Sequence, residues 1–361
     1  MVWDKVNMLP EKFKLIFETV AGSYLYGTNT PSSDLDIRGV FIPTEEYFLG
    51  LNNVEQYENK KDDITYWEIK KFLRLALDCN PNIIELLFIP DNIWIRSTKE
   101  WESIIENRQY FLSKKARWTF SGYAFSQLNR IKKHRQWLLN PPKEQPKREY
   151  FKLPKDRSLV PKEQLGAFNK LLSMYLEEIG QFHPLKEQLD EMTETRDFLG
   201  IVQSMKEIDL SVVRNIMPVS DNLLEVLDKE KRYAQAQREW SQYQNWKKSR
   251  NPERAMLEEK YGFDTKHGGH LYRLLTEGEE LMNLGCITFP RPDAEFILKI
   301  RNGEYDYEYL LDIVGDIDKK FKNLYENSGL PYTSNKKKID ELCIKIVKNY
   351  LFYEESNDRI F

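Results

Sequence analysis

Two acidic residues separated by a single position stand out near the N-terminus of the sequence. Asp34 and Asp36 alternate with the apolar residues Leu35 and Ile37. Arg38 continues the polar series. Side chains two positions apart lie on the same face of a β-strand, so both carboxylates and the guanidinium are expected on one surface. Because adjacent carboxylates repel and Mg²⁺ prefers oxygen ligands, this pattern predicts a divalent-metal site.

A glycine and a serine precede the acidic pair, at a point where a predicted strand gives way to a helix. Gly22 and Ser23 would begin that helix, where backbone N–H groups and a hydroxyl point outward and favour an anion. A phosphate held beside a metal ion is the arrangement that phosphoryl transfer requires. The N-terminal segment is therefore predicted to carry out phosphoryl chemistry.

A second group of polar residues lies far along the chain. Lys266, His270 and Arg273 occupy positions i, i+4 and i+7, so a helix places them on one face. Three hydrogen-bond donors in a row suit a triphosphate. The alternative is a solvated basic face with ordinary polar side chains. A zinc site formed by His267 and His270 is disfavoured, because the two histidines lack an evident third ligand.

The elements that must position these groups follow from the periodicity of apolar residues. The first 90 residues contain short strand-like runs and a clear helix over residues 68–78, and beyond residue 97 long amphipathic helices replace the strands. The predicted strands span residues 15–21, 35–42, 54–58 and 63–67. The predicted helices of the second part span residues 98–139, 162–182, 221–260, 266–284, 305–327 and 336–353.

The charge changes sign along the chain. Residues 1–90 hold 14 acidic and 9 basic side chains, whereas residues 113–162 hold 14 basic and 3 acidic ones. Cations attract a phosphate backbone, and aromatic residues interspersed among them can stack on unpaired bases. RNA binding is therefore expected here, with Lys132, Lys133 and Arg135 as candidate residues. The alternative is a solvated helix face whose aromatic residues belong to the core.

Length and composition indicate a folded protein of two domains. The chain has 361 residues, a formal net charge of -3 and 13% aromatic residues. Its start does not resemble a signal peptide and it has no apolar run of about 18 residues, so no membrane association is expected. The three cysteines, Cys79, Cys286 and Cys343, have no paired spacing, which favours a reducing, cytoplasmic location.

The residues around the acidic pair resemble a known family. Residues 22–27 read Gly-Ser-x-x-Tyr-Gly and residues 33–40 read Ser-Asp-x-Asp-x-Arg-Gly-Val. These motifs are similar to those of the DNA polymerase β-like nucleotidyltransferases, in the branch found beside RNA ligases in bacterial and phage RNA-repair operons. The resemblance implies that Ser33 and Arg38, together with the Gly-Ser pair, bind the nucleotide.

The same resemblance implies a third metal-binding carboxylate on a neighbouring strand. The family places it at the start of a segment that ends in Trp and an acidic residue, and residues 63–68 match that segment. Asp63 is therefore the expected third ligand and a candidate general base. Asp62 and Glu58 remain alternatives.

Residues 260–275 resemble the C-terminal motif of this branch, which implies that Lys266, His270 and Arg273 contact the nucleotide. The implied fold class is α+β. A polymerase β-like palm, a small mixed sheet with flanking helices, is expected over residues 1–96, and a large all-helical domain over residues 97–361. The expected helical domain contains the basic stretch 113–162 and a nucleotide-contacting helix over residues 264–285.

The activity that the resemblance implies is metal-dependent transfer of a nucleoside monophosphate from an NTP to an acceptor hydroxyl. Two Mg²⁺ ions held by Asp34, Asp36 and Asp63 are expected, with Mn²⁺ as a second suitable cation. The expected acceptor is an RNA 3′ end, such as that of a tRNA. Two alternatives stay open: transfer of AMP onto a protein or small molecule, and a noncatalytic module that binds a nucleotide or RNA.

Overall fold

The computed structural model describes residues 9–10, 12–31, 33–155 and 221–354. Its N-terminal part contains a five-stranded sheet. The strands are β1 (Lys14–Ala21), β2 (Asp36–Ile42), β3 (Gln56–Asn59), β4 (Ile64–Glu68) and β5 (Trp94–Ser97). Their order across the sheet is β3-β4-β2-β1-β5.

The register of this mixed sheet brings three strand ends together. β1 is antiparallel to β2 and β5, β3 is antiparallel to β4, and β2 is parallel to β4. Ala21 at the end of β1 lies opposite Asp36 at the start of β2, and Ile37 lies opposite Ile64 of β4. The end of β1 and the starts of β2 and β4 therefore meet at one edge of the sheet.

Helices flank the sheet and make up most of the remaining described chain. A short helix, α1 (Gly22–Tyr26), follows β1 directly and ends at Gly27, which has a left-handed backbone. The other helices are α2 (Ile69–Leu77), α3 (Pro81–Ile84), α4 (Lys99–Glu106), α5 (Ala116–Leu139), α6 (Asp221–Ser249), α7 (Pro252–Tyr261), α8 (Thr265–Leu284), α9 (Ala294–Arg301), α10 (Tyr307–Asn327) and α11 (Lys336–Asn349).

Contacts divide the chain into two compact units. The first unit consists of Met1–Leu139 with Asn251–Phe361, and the second of Asn140–Arg250. The sequence instead predicted a boundary at residue 96. The compact units do not follow that boundary, because the helices of the first unit bury their apolar faces in the core that also covers the sheet.

The shared core of the first unit is visible in single side chains. Phe17 of β1 stacks on Trp101 of α4 with ring centres 3.7 Å apart. Phe120 of α5 and Leu274 of α8 belong to the same buried cluster. Burial of such side chains stabilises a fold by about 1.5 to 3 kcal/mol each, so sheet and helices are expected to unfold together.

In the second unit, the described residues include α6 and a short 3-10 turn at Arg148–Phe151. Arg148 donates hydrogen bonds to both carboxylate oxygens of Glu230, at 3.0 and 2.6 Å, and its guanidinium lies 5.1 Å from the ring centre of Tyr233. The helix predicted over residues 162–182 lies outside the described residues, as do residues 156–162 of the basic stretch.

Two consecutive glycines let α8 pack closely against its neighbours. A Cβ atom at Gly268 would lie 3.1 Å from side-chain atoms of Phe263 and Leu310. A Cβ atom at Gly269 would lie 2.8 Å from Cγ of Arg301. The glycines, unfavourable inside a helix by about 1 kcal/mol each, therefore allow α9 and α10 to approach.

The α+β class and the four predicted strands are confirmed, with boundaries shifted by one or two residues. The stretch 98–139 holds two helices, because a 3-10 turn at Arg108–Phe111 interrupts it. β5 and α9 were not predicted. Within the described residues, no helix combines the length and apolar character that crossing a membrane requires.

Candidate active site

Two of the three predicted carboxylates lie side by side at the sheet edge. Asp36 is the first residue of β2, and Asp63 directly precedes β4. They precede the paired residues Ile37 and Ile64, and the Ile37 N–H donates to the Asp63 carbonyl at 3.1 Å. Asp34 is exposed, two positions before Asp36. The parallel pairing of β2 with β4 is what brings residues 36 and 63 together.

The environment of Asp36 disfavours its charged form. Burial raises the pKa of the Asp36 carboxyl above its ordinary 3.8, the Asp63 charge raises it further, and Arg38 and Lys266 oppose the shift. A second negative charge close to a half-buried carboxylate is unfavourable unless a cation lies between them. The arrangement therefore suits a divalent cation with oxygen ligands.

Arg38 holds the two acidic positions in place. Its guanidinium donates a hydrogen bond to Oδ1 of Asp36 at 2.9 Å and further hydrogen bonds to the carbonyls of Ile37 and Asp63. These contacts lie within the carboxylate cluster. These contacts indicate that Arg38 positions the two acidic residues, whereas the sequence predicted that Arg38 binds the nucleotide.

Asp63 fits the third-ligand position better than its two alternatives. Asp62 accepts a hydrogen bond from the Asn59 side chain at 2.9 Å and so helps to close the turn between β3 and β4. Glu58 lies on the edge strand β3, with β4 between it and β2. Asp63 has a positive φ of 53°, a conformation that Asp tolerates better than most residues.

The first residue of α1 lies directly against Asp36. Gly22 has a φ of +63°, and a Cβ atom at this position would fall 1.9 Å from Oδ2 of Asp36. Any other residue would therefore clash with the carboxylate and be strained in its backbone. The sequence predicted a Gly-Ser site beside the acidic pair, and the structure places Gly22 there.

The two predicted serines have defined places beside this glycine. Ser23, half-buried in α1, accepts a hydrogen bond at its carbonyl from the Thr28 N–H at 2.9 Å. Ser33 accepts at its hydroxyl from the Thr30 N–H at 2.8 Å. This hydrogen bond closes the turn before Asp34, so the Ser33 side chain stabilises the loop.

Helix α8 brings positive charge to the same region. The charge of Lys266, in the first turn of α8, lowers the pKa of Asp36 and so lies within electrostatic reach of the carboxylates. His270 lies one turn further, where burial and then the charges of Arg273 and Lys266 hold its pKa well below the ordinary 6.5. His270 is therefore neutral at pH 7.

Arg273 does not sit where the sequence analysis placed it. Only 5% of the residue is exposed, and its guanidinium donates to Glu85 at 2.6 Å and to Glu277 at 2.7 Å. Tyr26 of α1 donates to the other oxygen of Glu85 at 2.6 Å, and the guanidinium lies 4.0 Å from the centre of its ring. Two carboxylates occupy Arg273, which ties α8 to α1 inside the core.

The N-terminal part of the chain, which contains this site, is similar to a known protein family. Residues 6–151 match the model of a family described as the RNA repair pathway DNA polymerase beta family. Over these residues the chain is similar to that family. The match covers the whole carboxylate cluster and Gly22, and it supports the polymerase β-like nucleotidyltransferase branch tied to RNA repair.

Two curated proteins resemble part of this chain. An uncharacterized 38.9 kDa protein of Enterobacteria phage T4, from the nrdC-mobD intergenic region, is 29% identical over 131 residues, which cover 32% of this chain and 38% of the phage protein. The uncharacterized protein YcgL of Bacillus subtilis (strain 168) is 30% identical over 90 residues, or 23% of this chain and 35% of YcgL. The similarity thus spans little more than a third of each relative. No solved structure matches significantly.

Some cations of the basic stretch make internal contacts, whereas others are exposed. The buried Arg117 forms an ion pair with the half-buried Asp318 at 2.7 Å. Arg135 donates to the Gly262 carbonyl at 2.9 Å and lies 4.5 Å from the ring centre of Tyr307. Arg135, one of the three residues predicted to bind RNA, therefore packs against other parts of the chain. Lys132 is exposed and Lys133 half-buried on the same helix.

One further cation, which the sequence did not single out, contacts the loop after α1. Arg301, the last residue of α9, donates to the Thr28 carbonyl at 2.6 Å in the loop after α1, and its charge contributes to the lowered pKa of His270. The sequence signal for Arg301 was its place in the motif Arg301-Asn302-Gly303. Its proximity to His270 could not be predicted, because Arg301 lies 31 positions further along the chain.

Proposed function

We propose that this protein transfers a nucleoside monophosphate from an NTP to an acceptor hydroxyl at the cluster of Asp34, Asp36 and Asp63. The observation that carries the proposal is the contact between Gly22 and Asp36, beside Asp63, in a region of the polymerase β family. In this arrangement a glycine backbone and two carboxylates converge at one sheet edge, as a phosphate and a cation would require.

The donor set fits Mg²⁺. Asp63 and Asp36 provide hard oxygen ligands whose repulsion a divalent cation would relieve, and Asp34 offers a third carboxylate on the solvent side. Two ions and the acceptance of Mn²⁺ remain part of the proposal. When bound, Mg²⁺ would offset the negative charge that develops on the α-phosphate and the departing pyrophosphate.

The chain's own residues would bind the nucleotide and move the proton. Lys266 and Arg301 would attract the triphosphate, and neutral His270 would offer a hydrogen bond without adding charge. As the acceptor oxygen bonds to the α-phosphorus, its proton passes to a carboxylate oxygen of Asp63. The bond from the α-phosphorus to the bridging oxygen breaks, and pyrophosphate leaves with that electron pair.

An RNA 3′ end is the acceptor we propose. The family description names an RNA repair pathway, and exposed Lys132 lies within the basic stretch. The internal ion pairs of that stretch leave fewer cations for a nucleic acid, which keeps transfer onto a protein or small molecule as the second candidate. The cytoplasmic location stays a prediction.

The experiment is to incubate the full chain with each α-labelled NTP, Mg²⁺ and total RNA, and to follow the label. Label in RNA supports the proposed acceptor, and label in protein or a small product supports the second candidate. The variants Asp63→Asn and Asp62→Asn form a matched pair one position apart. We expect the first to abolish labelling and the second to retain it. Equal loss in both variants would contradict the assignment of Asp63.

A further inference from the structure

Two histidines and one aspartate, residue types that can bind a metal ion, lie close together on α5 and at the start of α8. Neither helix contributes a carboxylate to the proposed transfer site. His134 lies on α5, Asp264 is the residue that caps the N-terminus of α8, and His267 lies in the first turn of α8. One ligand atom from each residue lies within 4.8 Å of the others. The pairing of α5 with α8 brings these residues together across 130 positions of sequence.

We propose that His134, Asp264 and His267 form a site for a transition-metal ion such as Zn²⁺. From the sequence, zinc is disfavoured because His267 and His270 lack an evident third ligand. The structure supplies a different set: Asp264 from the same helix and His134 from another. The proposal does not rest on the transfer activity, since its donors differ from those of the carboxylate cluster.

The distances within the Asp264–His267 pair match the requirements of a four-coordinate ion. Oδ1 of Asp264 accepts the His267 N–H at 3.0 Å, which leaves Oδ2 for a metal. Oδ2 lies 3.5 Å from Nε2 of His267. Ligands at about 2.0 to 2.1 Å from a tetrahedral ion are about 3.4 Å apart, so these two atoms are already spaced for coordination.

His134 completes the set from the opposite helix. Its ring centre lies 6.0 Å from that of His267, and it stacks on Trp137, with ring centres 5.6 Å apart and an angle of 21° between the planes. The three ligand atoms lie within 4.8 Å of one another, so the tetrahedral spacing of about 3.4 Å needs side-chain movements of up to about 1.4 Å. A side-chain rotation of that size leaves α5 and α8 in place.

The ligand chemistry selects the class of metal. Two imidazole nitrogens and one carboxylate favour Zn²⁺ or Co²⁺ over Mg²⁺, which prefers an all-oxygen set. Asp264 is only 3% exposed, and burial of a carboxylate is unfavourable unless a partner compensates its charge. Three protein ligands leave one coordination position, which water or a ligand group can fill.

The test is Co²⁺ titration of the chelator-treated full chain in excess Mg²⁺, which keeps Co²⁺ from the carboxylate cluster. We expect one equivalent of Co²⁺ to produce the strong visible absorption of a four-coordinate ion, and Zn²⁺ to remove that absorption. Six-coordinate Co²⁺ on carboxylates absorbs weakly, so the spectrum separates the two sites. A weak spectrum, or none, would overturn the proposal.

Two variants test the ligands, and a third is the control. His134→Gln should abolish the band, and Asp264→Asn should weaken Co²⁺ binding at least about tenfold while keeping the helix cap, because Asn caps as well as Asp. His270→Gln, which alters the histidine outside the trio, should keep the band. Zn²⁺ should also raise the melting temperature of the unmodified chain and not that of His134→Gln. An unchanged band in His134→Gln, or equal loss in His270→Gln, contradicts this ligand set.

Discussion

Gly22 and Asp36 are in such close contact that a side chain at position 22 would overlap the carboxylate: a Cβ atom there would lie 1.9 Å from Oδ2. This contact joins the residue that follows β1 to the first residue of β2. It explains why the family motif begins with glycine, in terms of space as well as backbone conformation.

The first prediction concerns this contact. Gly22→Ala should reduce nucleotidyl transfer by at least about a hundredfold, because the added methyl group displaces Asp36 by a distance that a positioned reaction does not tolerate. Gly285→Ala is the matched control. Gly285 also has a positive φ, of +69°, but no described atom beyond its immediate neighbours lies within 4 Å of its Cβ position.

Backbone strain should cost each alanine variant about 1 to 2 kcal/mol of stability in urea unfolding. Gly22→Ala should lose more than Gly285→Ala, because the clash with Asp36 adds to the strain. Assays of transfer then separate strain from displacement of the carboxylate. Should the two variants lose the same stability and the same activity, the contact with Asp36 has no part in the reaction.

A second prediction separates Arg273 from the nucleotide site. Arg273→Met leaves the buried acidic side chains of Glu85 and Glu277 without their shared cation and hydrogen-bond donor, so it should cost about 3 to 5 kcal/mol of stability. Lys266→Met should change stability by less than about 1 kcal/mol and weaken NTP binding about tenfold or more. Urea unfolding and equilibrium NTP binding measure both effects. Weakened NTP binding with unchanged stability in Arg273→Met would indicate that Arg273 binds the triphosphate.

The third prediction is a pH dependence that comes from Glu277. Burial raises the pKa of Glu277 from 4.5 to about 8 in the folded chain, against the opposing charge of Arg273. Between these values the unfolded chain has released a proton that the folded chain still holds, so the free energy of unfolding falls as the pH rises. Glu277→Gln should flatten this decline. An identical decline in the variant would show that Glu277 is ionised throughout.

The fourth prediction concerns RNA. If exposed Lys132 and half-buried Lys133 contact phosphates, changing both to alanine should reduce the salt dependence of RNA binding by about 1.4 in log-log slope, or about 0.7 for each contact. Arg135 is left intact because its loss would disturb the contacts with Gly262 and Tyr307. The control alters Lys336 and Lys337, which are exposed at the start of α11. Equal slopes in the two double variants would remove this surface from RNA binding.

The strands and the acidic face could be predicted because their information is local. Alternation with a period of two places Asp36 and Arg38 on one side of β2, whereas Asp34 lies two positions before the strand begins. The position of Arg273 could not be predicted in the same way. It shares a helix face with Lys266, but seven residues carry it about 10 Å further along the axis, from the site into the core.

Other features depended on contacts between distant parts of the sequence. The periodicity of α8 gave no sign that His134, 133 positions earlier, would lie beside His267. Glu85 likewise became a partner of Arg273 only through the packing of α8 on the N-terminal core. Family resemblance supplied Asp63, and the parallel pairing of β2 with β4 then explained why that residue rather than Asp62 adjoins Asp36.

The central claim is that Asp36 supports nucleotidyl transfer directly, and the most direct measurement is transfer from an α-labelled NTP by Asp36→Asn. Loss of one ligand should lower the rate by about a thousandfold, the equivalent of several kcal/mol. Without Mg²⁺ its melting temperature should stay level or rise, because one of two crowded carboxylates loses its charge. Glu58→Gln, on the edge strand, should behave as the unmodified protein. Full transfer by Asp36→Asn, or loss of transfer only because that variant unfolds, would contradict the account.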